Sequence, residues 1–297
     1  MADQHDMQNP KKQYPKLDIP PQHQPEPGLD AKLEPLADHG QQTYRGSGRL
    51  KGRKAVITGA DSGIGRAVAI AFVREGADVV LNYLPVEEVD ARETARICEE
   101  SGQKVVCVPG DISDEGFCKE LIEATAKELD GIDILVNNAG KQVYVGAIED
   151  LTTEQLRKTF EVNIFSMFWL SKAAVSHMKP GSTIINTASI QAYQPSEGLL
   201  DYASTKAAIV AFTHGLGKQL APKGIRVNAV APGPIWTPLQ PSYGQPMEKL
   251  VKFGQNTPLG RPGQPAEVAP AFVFLASQES SYITGEVIGV TGGNHLP

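Results

Sequence analysis

The sequence predicts one large α/β domain with a doubly wound sheet, in which helices cover both faces of parallel strands. From Lys54 onward, short apolar runs alternate with amphipathic stretches, the pattern of repeated βα units. A glycine-rich turn follows the first apolar run. With 297 residues, 41% of them hydrophobic, the chain can build a substantial core. In such folds ligands bind beyond the carboxyl ends of the strands, so functional residues are expected there.

About seven parallel strands and six helices are expected in alternation. The strands are short and apolar, which is typical of strands buried on both faces. We predict strands near 54–59, 78–83, 104–109, 132–137, 181–187, 225–230 and 286–290. We predict helices near 63–75, 87–101, 114–129, 152–178, 201–221 and 265–276.

The first 48 residues differ in composition from the rest. They are rich in Pro, Gln and charged residues and show no apolar period. A segment of this kind cannot by itself bury enough surface to offset the entropy lost on ordering. We therefore expect residues 1–48 to be disordered or to form an arm on a neighbouring subunit, and residues 49–297 to form the domain.

Charge and cysteine content argue against several classes of partner. With 28 basic and 34 acidic residues the net charge is −6, which favours neither nucleic acid nor an anionic membrane surface. No apolar run is long enough to span a membrane and no signal peptide is evident, so a cytoplasmic protein is expected. The spacing of Cys98, Cys107 and Cys118 indicates neither a metal site nor a disulfide framework.

The glycine-rich turn after the first strand predicts a dinucleotide site. Gly59 permits a sharp turn, Gly63 lets the backbone approach a pyrophosphate, and Gly65 lets helix and strand pack closely. The other loop residues expected at the cofactor are Asp61, Ser62 and Ile64. A plain strand-turn-helix connection is the alternative interpretation.

The end of the second strand bears on the choice between NAD and NADP. An acidic residue there favours NAD and a basic one favours NADP, but this chain has Asn82 and Tyr83. Without that carboxylate a 2'-phosphate is not repelled, and Ser62 and Asn82 can donate hydrogen bonds to it. This favours NADP slightly, whereas Asp61 argues for NAD.

Two further strand ends carry polar or small residues. Asp111, followed by Ile112, is expected near the adenine edge, although an aspartate after a strand also commonly forms a turn or helix cap. After the fourth strand, Asn138, Ala139 and Gly140 are expected to border the ribose and to stabilise the sheet.

Tyr202 and Lys206 are the candidate acid/base pair. They lie four residues apart in an expected helix and therefore share one face. A nearby cation favours the phenolate and lowers the pKa of a tyrosine from its usual value of about 10. Such pairs are also common on solvated helix faces. Asn163, inside another expected helix, indicates a local distortion or a polar partner because asparagine is mildly unfavourable there.

In combination, these motifs resemble the short-chain dehydrogenase/reductase family, from about residue 50 to the C-terminus. The resemblance rests on Thr58 with the glycine loop, Asn137 to Gly140, Asn163, Ser189 and Tyr202-x-x-x-Lys206. It implies a Rossmann fold, an NAD(P) cofactor and hydride exchange with an alcohol or carbonyl. It further implies that Tyr202 is the general acid/base, Lys206 binds the nicotinamide ribose, Ser189 polarises the carbonyl and Asn163 anchors a water relay.

The segment after the sixth strand resembles the family's loop over the nicotinamide, with Pro232, Gly233, Ile235 and Thr237 near the cofactor. Residues from about 234 to 257 are expected to form a mobile substrate lid, or else a long surface loop. The expected walls suit a sugar, polyol, aldehyde or small ketone, and are Gln191, Tyr193, Gln194, Glu197 and Trp236.

The N-terminal extension is similar to that of a bacterial subgroup described as glucose-dehydrogenase-like or general-stress oxidoreductases. Helices 152–178 and 201–221 carry apolar residues around much of their circumference. This pattern indicates either a subunit interface, as in the family's usual homotetramer, or long helices buried within a monomer. Two other functions stay open at this point. One is a nucleotide-binding sensor or scaffold without turnover, and the other is an isomerase or dehydratase that uses the same Tyr/Lys pair.

Overall fold

The computed structural model describes residues 3–294 and 296. Within them, seven parallel strands form one sheet in the order β3-β2-β1-β4-β5-β6-β7. The strand order reverses between β1 and β4, which creates a crevice at their carboxyl ends. The predicted doubly wound sheet is therefore confirmed. The strands are β1 (Lys54–Thr58), β2 (Asp78–Tyr83), β3 (Val105–Pro109), β4 (Ile134–Asn137), β5 (Thr183–Thr187), β6 (Arg226–Pro232) and β7 (Val287–Val290).

The helices agree with the sequence pattern except at two places, one of which is the short helix Met247–Leu250 within the predicted lid. The predicted helix 152–178 is interrupted by a π turn, Glu161–Phe165, and ends a few residues early. The helices are α1 (Gly63–Arg74), α2 (Glu88–Glu99), α3 (Glu115–Leu129), α4 (Thr153–Phe160), α5 (Ser166–Ala174), α6 (Leu200–Leu220), α7 (Met247–Leu250) and α8 (Pro265–Ala276).

The sheet has an apolar core on each face. Alternate residues of a strand point to opposite faces, so Ala55 and Ile57 pack with α1 and α8. Val56 lies between them in sequence and packs with α3 and α5 on the other face. Burial on both faces explains why the strands read as continuous apolar runs.

The N-terminal segment packs on the domain of its own chain, which differs from the disorder that is one of the two alternatives predicted for it. Leu17, Ile19, Leu33 and Ala37 pack against Trp236 and Leu250 of the domain. The Trp236 Nε1 donates a hydrogen bond to the carbonyl oxygen of Pro35 (2.7 Å). Scattered apolar residues suffice here because the domain supplies the opposing apolar surface, so no periodic pattern is needed.

A buried carboxylate holds the end of this segment next to α1. Glu75 follows α1 and accepts hydrogen bonds from the Tyr44 hydroxyl (2.7 Å) and the Arg49 guanidinium (2.6 Å). Burial of the Glu75 carboxyl opposes its ionisation, but these hydrogen bonds outweigh that effect and lower its pKa to about 2. An ionised, fully paired carboxylate therefore joins the segment to the sheet domain.

Within the described residues, no helix has both the length and the apolar character needed to cross a membrane. Among them, no group of His, Cys, Asp and Glu is arranged to hold a metal ion. Cys98, Cys107 and Cys118 are free thiols.

Candidate active site

A cavity of about 570 Å³ opens at the carboxyl edge of the sheet, at the crevice between β1 and β4. It is lined by residues that follow each of the seven described strands. Of the predicted catalytic residues, Ser189, Tyr202 and Lys206 line it and Asn163 does not. All predicted cofactor residues other than Gly65 also line it, namely Gly59, Asp61, Ser62, Gly63, Ile64, Asn82, Tyr83, Asp111, Ile112, Asn138, Ala139, Gly140, Pro232, Gly233, Ile235 and Thr237.

The glycine loop has the backbone geometry expected for a dinucleotide cradle. Gly59 (φ 61°) and Gly63 (φ 50°) both adopt the left-handed region that favours glycine. A Cβ on Gly65 would lie 1.9 Å from the Gly59 carbonyl oxygen, so only glycine permits this approach of α1 to β1. The loop thus brings the N-terminus of α1 to the cavity wall, and its backbone geometry fits a pyrophosphate.

Asparagine side chains fix the crevice on its β4 side. The Asn138 Nδ2 donates to the carbonyl oxygens of Thr58 (3.0 Å) and Gly59 (3.2 Å), at the end of β1. The Asn137 Nδ2 donates to the Oδ1 of Asn186 on β5 (2.9 Å). These amides tie three neighbouring strand ends together, which is the sheet-stabilising role predicted for this motif.

Asn82 does not have the hydrogen bonds expected of it. Its buried Nδ2 donates to the carbonyl oxygens of Val108 (3.1 Å) and Gly110 (3.2 Å). Both amide hydrogens are therefore used within the protein, and the prediction that they serve a 2'-phosphate is wrong. The Tyr83 hydroxyl donates to Glu88 (2.6 Å) on the following helix.

Two buried carboxyl groups lie at this end of the cavity. Burial raises the pKa of Asp61 well above its usual range, and the charge of Glu87 raises it further. Burial likewise raises the pKa of Glu87 to about 7. The Asp61 Oδ2 has no hydrogen-bond partner among the described residues. Near neutral pH this wall therefore carries less negative charge than its composition suggests; no sequence pattern pointed to Glu87.

Asp111 lies at the cavity and also forms the turn predicted for it. It lines the cavity, and its Oδ1 accepts a hydrogen bond from the Ser113 backbone in a turn (2.9 Å). Its Oδ2 pairs with the Lys158 ammonium of α4 (3.0 Å). Burial opposes ionisation of Asp111, but the hydrogen bonds from Ser113 and Lys158 keep its pKa below the usual value.

Tyr202 and Lys206 share one face of α6, as predicted, but their electrostatics differ from the prediction. The Lys206 Nζ lies 5.3 Å from the centre of the Tyr202 ring and donates to the carbonyl oxygen of Thr187 (2.7 Å). Burial raises the pKa of Tyr202 to about 12, although a hydrogen bond with Ser189 acts in the opposite direction. Burial lowers the pKa of Lys206 to about 7. Desolvation therefore dominates both pKa values, and the pKa of Tyr202 is raised where the sequence predicted that it would be lowered.

Asn163 lies behind the cavity wall in the π turn, where the structure shows both the distortion and the polar partners predicted for it. Its Oδ1 accepts from the Lys141 backbone N–H (2.7 Å), and its Nδ2 donates to the Lys141 carbonyl (2.9 Å) and to Thr205 Oγ1 (3.0 Å). A Cβ on Gly140 would lie 3.6 Å from Asn163 Oδ1 and 3.8 Å from Lys206 Nζ. Asn163 thus holds the loop beside the Lys206 ammonium.

Part of the predicted substrate wall is wrong. Gln191 and Gln194 line the cavity, but Trp236 is fully buried beneath the N-terminal segment. Tyr193 packs against an apolar cluster between α5, α6 and β6, and Glu197 is 81% exposed beside Lys249 (3.5 Å). Sequence order alone does not show which side of a loop faces the cavity.

Several lining residues had no sequence signal. The N-terminal segment contributes Glu26, Pro27 and Gly28, and Glu26 pairs with the Lys141 ammonium. Residues without periodicity do not reveal the surface on which they lie. Amide side chains also converge from separate loops, and these are Gln142, Gln240, Gln245, Asn256 and Asn294.

Known proteins resemble this chain along nearly its whole length. A family model described as enoyl-(acyl carrier protein) reductase matches residues 59–295. An uncharacterized oxidoreductase of Escherichia coli, YghA, is 58% identical over 290 residues, 98% of this chain and 99% of its own. General stress protein 39 of Bacillus subtilis is 50% identical over 284 residues, 95% of this chain and 98% of its own. NADPH-dependent aldehyde reductase 1 of Arabidopsis thaliana is 46% identical over 275 residues, 90% of this chain and 95% of its own.

Solved structures share the fold described above. A short-chain dehydrogenase from Burkholderia cenocepacia, crystallised with NADP, superimposes with a TM-score of 0.76 and 32% identity. The match covers 82% of this chain and 98% of that structure. The motifs at the strand ends, the sheet topology and these similarities agree, and the chain belongs to the short-chain dehydrogenase/reductase family of oxidoreductases.

Proposed function

We propose that this protein transfers a hydride between a nicotinamide cofactor and an alcohol or carbonyl substrate, with Tyr202 as general acid/base. The observation that carries the proposal is the buried group of Ser189, Tyr202 and Lys206 in the same cavity as the glycine loop. When bound, NAD(P) supplies or accepts the hydride. The residues of the chain then bind and orient the reactants and move a proton.

Hydrogen-bond donors are required where negative charge develops on a carbonyl oxygen. Tyr202, with its pKa raised to about 12 by burial, holds its proton at neutral pH and is suited to donate it. The Ser189 hydroxyl, which is hydrogen-bonded to Tyr202, is a second donor. We assign the ribose contact to Lys206, whose ammonium is oriented by Thr187. Asn163 keeps the neighbouring loop in place and is proposed as the anchor of a water relay.

We favour NADP over NAD because of the two buried carboxyl groups at this end of the cavity, since the Asn82 amide is already hydrogen-bonded within the protein. The raised pKa values of Asp61 and Glu87, caused by burial, reduce the negative charge that a 2'-phosphate would meet. The Burkholderia relative was crystallised with NADP, and the Arabidopsis relative is named as NADPH-dependent. The predicted cofactor residues that line the cavity are proposed to contact the bound cofactor.

The lining supports a substrate rich in oxygen. Side-chain amides both donate and accept hydrogen bonds, so they can bind hydroxyl and carbonyl groups alike. Sugars, polyols, aldehydes and small ketones fit this lining, and the Arabidopsis relative is named an aldehyde reductase. Residues 234–257 contribute Gln240, Gln245 and Asn256 to the cavity, which supports their proposed role as a substrate lid.

The decisive variant is Tyr202→Phe, which removes only the proposed proton donor. We expect turnover to fall by about 10²- to 10⁴-fold, the usual contribution of a general acid, with NADPH affinity nearly unchanged. Tyr282→Phe is the matched control because Tyr282 is fully exposed. Near-normal turnover of Tyr202→Phe would contradict the proposed role of Tyr202.

The substrate class is tested by assaying aldehydes, ketones, sugars and polyols with NADP(H) and NAD(H) in parallel. Nicotinamide absorbance reports net oxidation or reduction. Product formed without an absorbance change would indicate an isomerase or dehydratase. Cofactor binding with no reaction across the panel would indicate a sensor or scaffold.

A further inference from the structure

The N-terminal segment forms part of the cavity wall. Residues 26–28 line the cavity, and the Glu26 carboxylate pairs with the Lys141 ammonium on the opposite loop. The Ser242 hydroxyl, in the proposed lid, donates to the carbonyl oxygen of Pro25 (3.2 Å). The segment is therefore connected to two of the loops that shape the site.

Two residues beyond this wall, Asp30 contacts the glycine loop itself. Its carboxylate is 4% exposed, and its Oδ2 accepts a hydrogen bond from the Gly63 backbone N–H (3.1 Å). The same carboxylate lies 2.8 Å from His39 Nε2 and 3.8 Å from the Arg66 guanidinium. The backbone N–H of Asp30 in turn donates to the Asp90 carboxylate (2.6 Å). Asp30 is thus held by groups from the segment, α1 and α2.

We propose that Asp30 is a positioning residue for the glycine loop, through which the N-terminal segment sets the affinity of the site for its cofactor. The inference rests on the proposed nicotinamide cofactor site. Gly63 is the first residue of α1 and has a left-handed backbone conformation. Its N–H, like the others in the first turn of a helix, has no carbonyl partner within the helix. The Asp30 carboxylate supplies the missing acceptor.

A restraint at this point has a large effect because glycine is conformationally permissive. A loop with Gly59, Gly63 and Gly65 samples many backbone conformations unless other contacts limit them. Hydrogen bonds to an ionised acceptor are stronger than neutral ones, and a preorganised loop loses less entropy when a ligand binds. The Arg66 guanidinium lies beside the same carboxylate and limits its repulsion of a phosphate.

The test compares Asp30→Ala with Asp18→Ala, which makes the same change at an exposed position of the same segment. NADPH dissociation constants are measured by titration. Hydrogen exchange of the peptide that contains residues 59–66 is measured by mass spectrometry in cofactor-free protein. We expect Asp30→Ala to bind NADPH about tenfold more weakly, as for loss of one charge-assisted hydrogen bond, and to exchange faster in that peptide. Asp18→Ala should match the wild type in both.

Two results overturn the proposal. Wild-type affinity and exchange in Asp30→Ala would show that the carboxylate does not restrain the loop. Tighter NADPH binding by Asp30→Ala would show that its charge acts mainly by repelling the phosphates. If the alanine variant does not fold, Asp30→Asn replaces it, with about threefold weaker binding and faster exchange expected because a neutral acceptor is weaker; wild-type values in both measurements overturn the proposal again.

The design separates this inference from the proposed reaction. Exchange of the loop in cofactor-free protein does not depend on any turnover. Tyr202→Phe should lose turnover while its loop exchange and NADPH affinity stay at wild-type values. Asp30→Ala, by contrast, should bind NADPH more weakly and show faster exchange of the loop. A protein that binds NADPH through this loop but catalyses no hydride transfer would therefore leave the role of Asp30 intact.

Discussion

Lys206 is the residue at which the proposed chemistry conflicts most directly with stability. Its side chain is 3% exposed, and its Nζ donates to the carbonyl oxygen of Thr187. Burial of the ammonium lowers its pKa from 10.5 to about 7. The charged form of Lys206 is therefore less favourable in the folded protein than in the unfolded chain. Such a loss of stability is expected where a side chain is buried for function.

This conflict predicts that Lys206→Met stabilises the protein at low pH. Between pH 7 and 10.5 the unfolded chain binds a proton at Lys206 that the folded protein has released, so wild-type stability rises with pH across this window. Methionine removes the group and with it that rise. At pH 6 we expect a gain in unfolding free energy of about 1–3 kcal/mol that shrinks toward pH 10, while turnover is lost.

Urea unfolding at pH 6, 8 and 10 measures this difference. Lys218→Met is the matched control because Lys218 lies exposed on the same helix. An equal pH slope in wild type and Lys206→Met would show that the buried amine does not titrate in this range.

At the residue scale, the sequence could identify the groups but not their state. The four-residue spacing of Tyr202 and Lys206 places them on one face of a helix, because helical geometry is local. Their pKa values depend on desolvation by distant parts of the chain. Likewise, the Asn82 side chain could not be assigned because its partners, Val108 and Gly110, belong to a neighbouring strand and its following turn.

Among the elements, the π turn between α4 and α5 has the clearest functional consequence. Glu161–Phe165 widens the helix by one residue, and Asn163 lies buried within it. Such π turns often occur at functional sites. The Asn163 side chain makes three hydrogen bonds, and two of them hold the backbone of Lys141. The turn therefore connects a helix to the loop that borders the proposed nicotinamide site.

Asn163→Ala should break this connection. Loss of the side chain leaves the Lys141 backbone N–H and carbonyl without their partner, and we expect a loss of about 2–3 kcal/mol in unfolding free energy. Turnover should fall together with stability because the loop beside Lys206 is no longer held. Equilibrium urea unfolding and steady-state kinetics measure the two effects.

The control is Glu161→Ala, a change in the same π turn at a half-buried side chain. It should leave both quantities near wild type. If Asn163→Ala reduced stability but not turnover, the asparagine would have a purely structural role.

Strand and helix positions were predictable because apolar periodicity reports local geometry directly. The only sequence indication of the π turn was Asn163, a polar residue in an apolar stretch. The packing of residues 3–48 was not predictable, since it depends on a surface formed by Trp236 and Leu250 more than 180 residues away. Asp30 had no motif around it for the same reason: its partners Gly63, Arg66 and Asp90 meet it only in the folded chain.

At the scale of the whole molecule, the chain exposes apolar residues on a face formed by the π turn, α5 and α6. Phe165 is 45% exposed and Phe168 is 52% exposed, and Phe168 packs edge-on against Phe212 of α6 (4.5 Å between ring centres). Large apolar side chains grouped in this way commonly mark an interface. The homotetramer expected from the family resemblance predicts that these helices pack against another subunit at this face.

Phe168→Glu should weaken that assembly. In a symmetric interface each substitution acts twice, and each loses the burial of a phenylalanine, about 1.5–3 kcal/mol, and also places a charge in an apolar contact. We expect size-exclusion chromatography with light scattering to show smaller species than the wild type at micromolar concentration. Val89→Glu is the control because Val89 is 68% exposed on α2, away from this face. A wild-type protein that is already monomeric, or a Phe168→Glu variant with wild-type mass, would rule out an interface at this face.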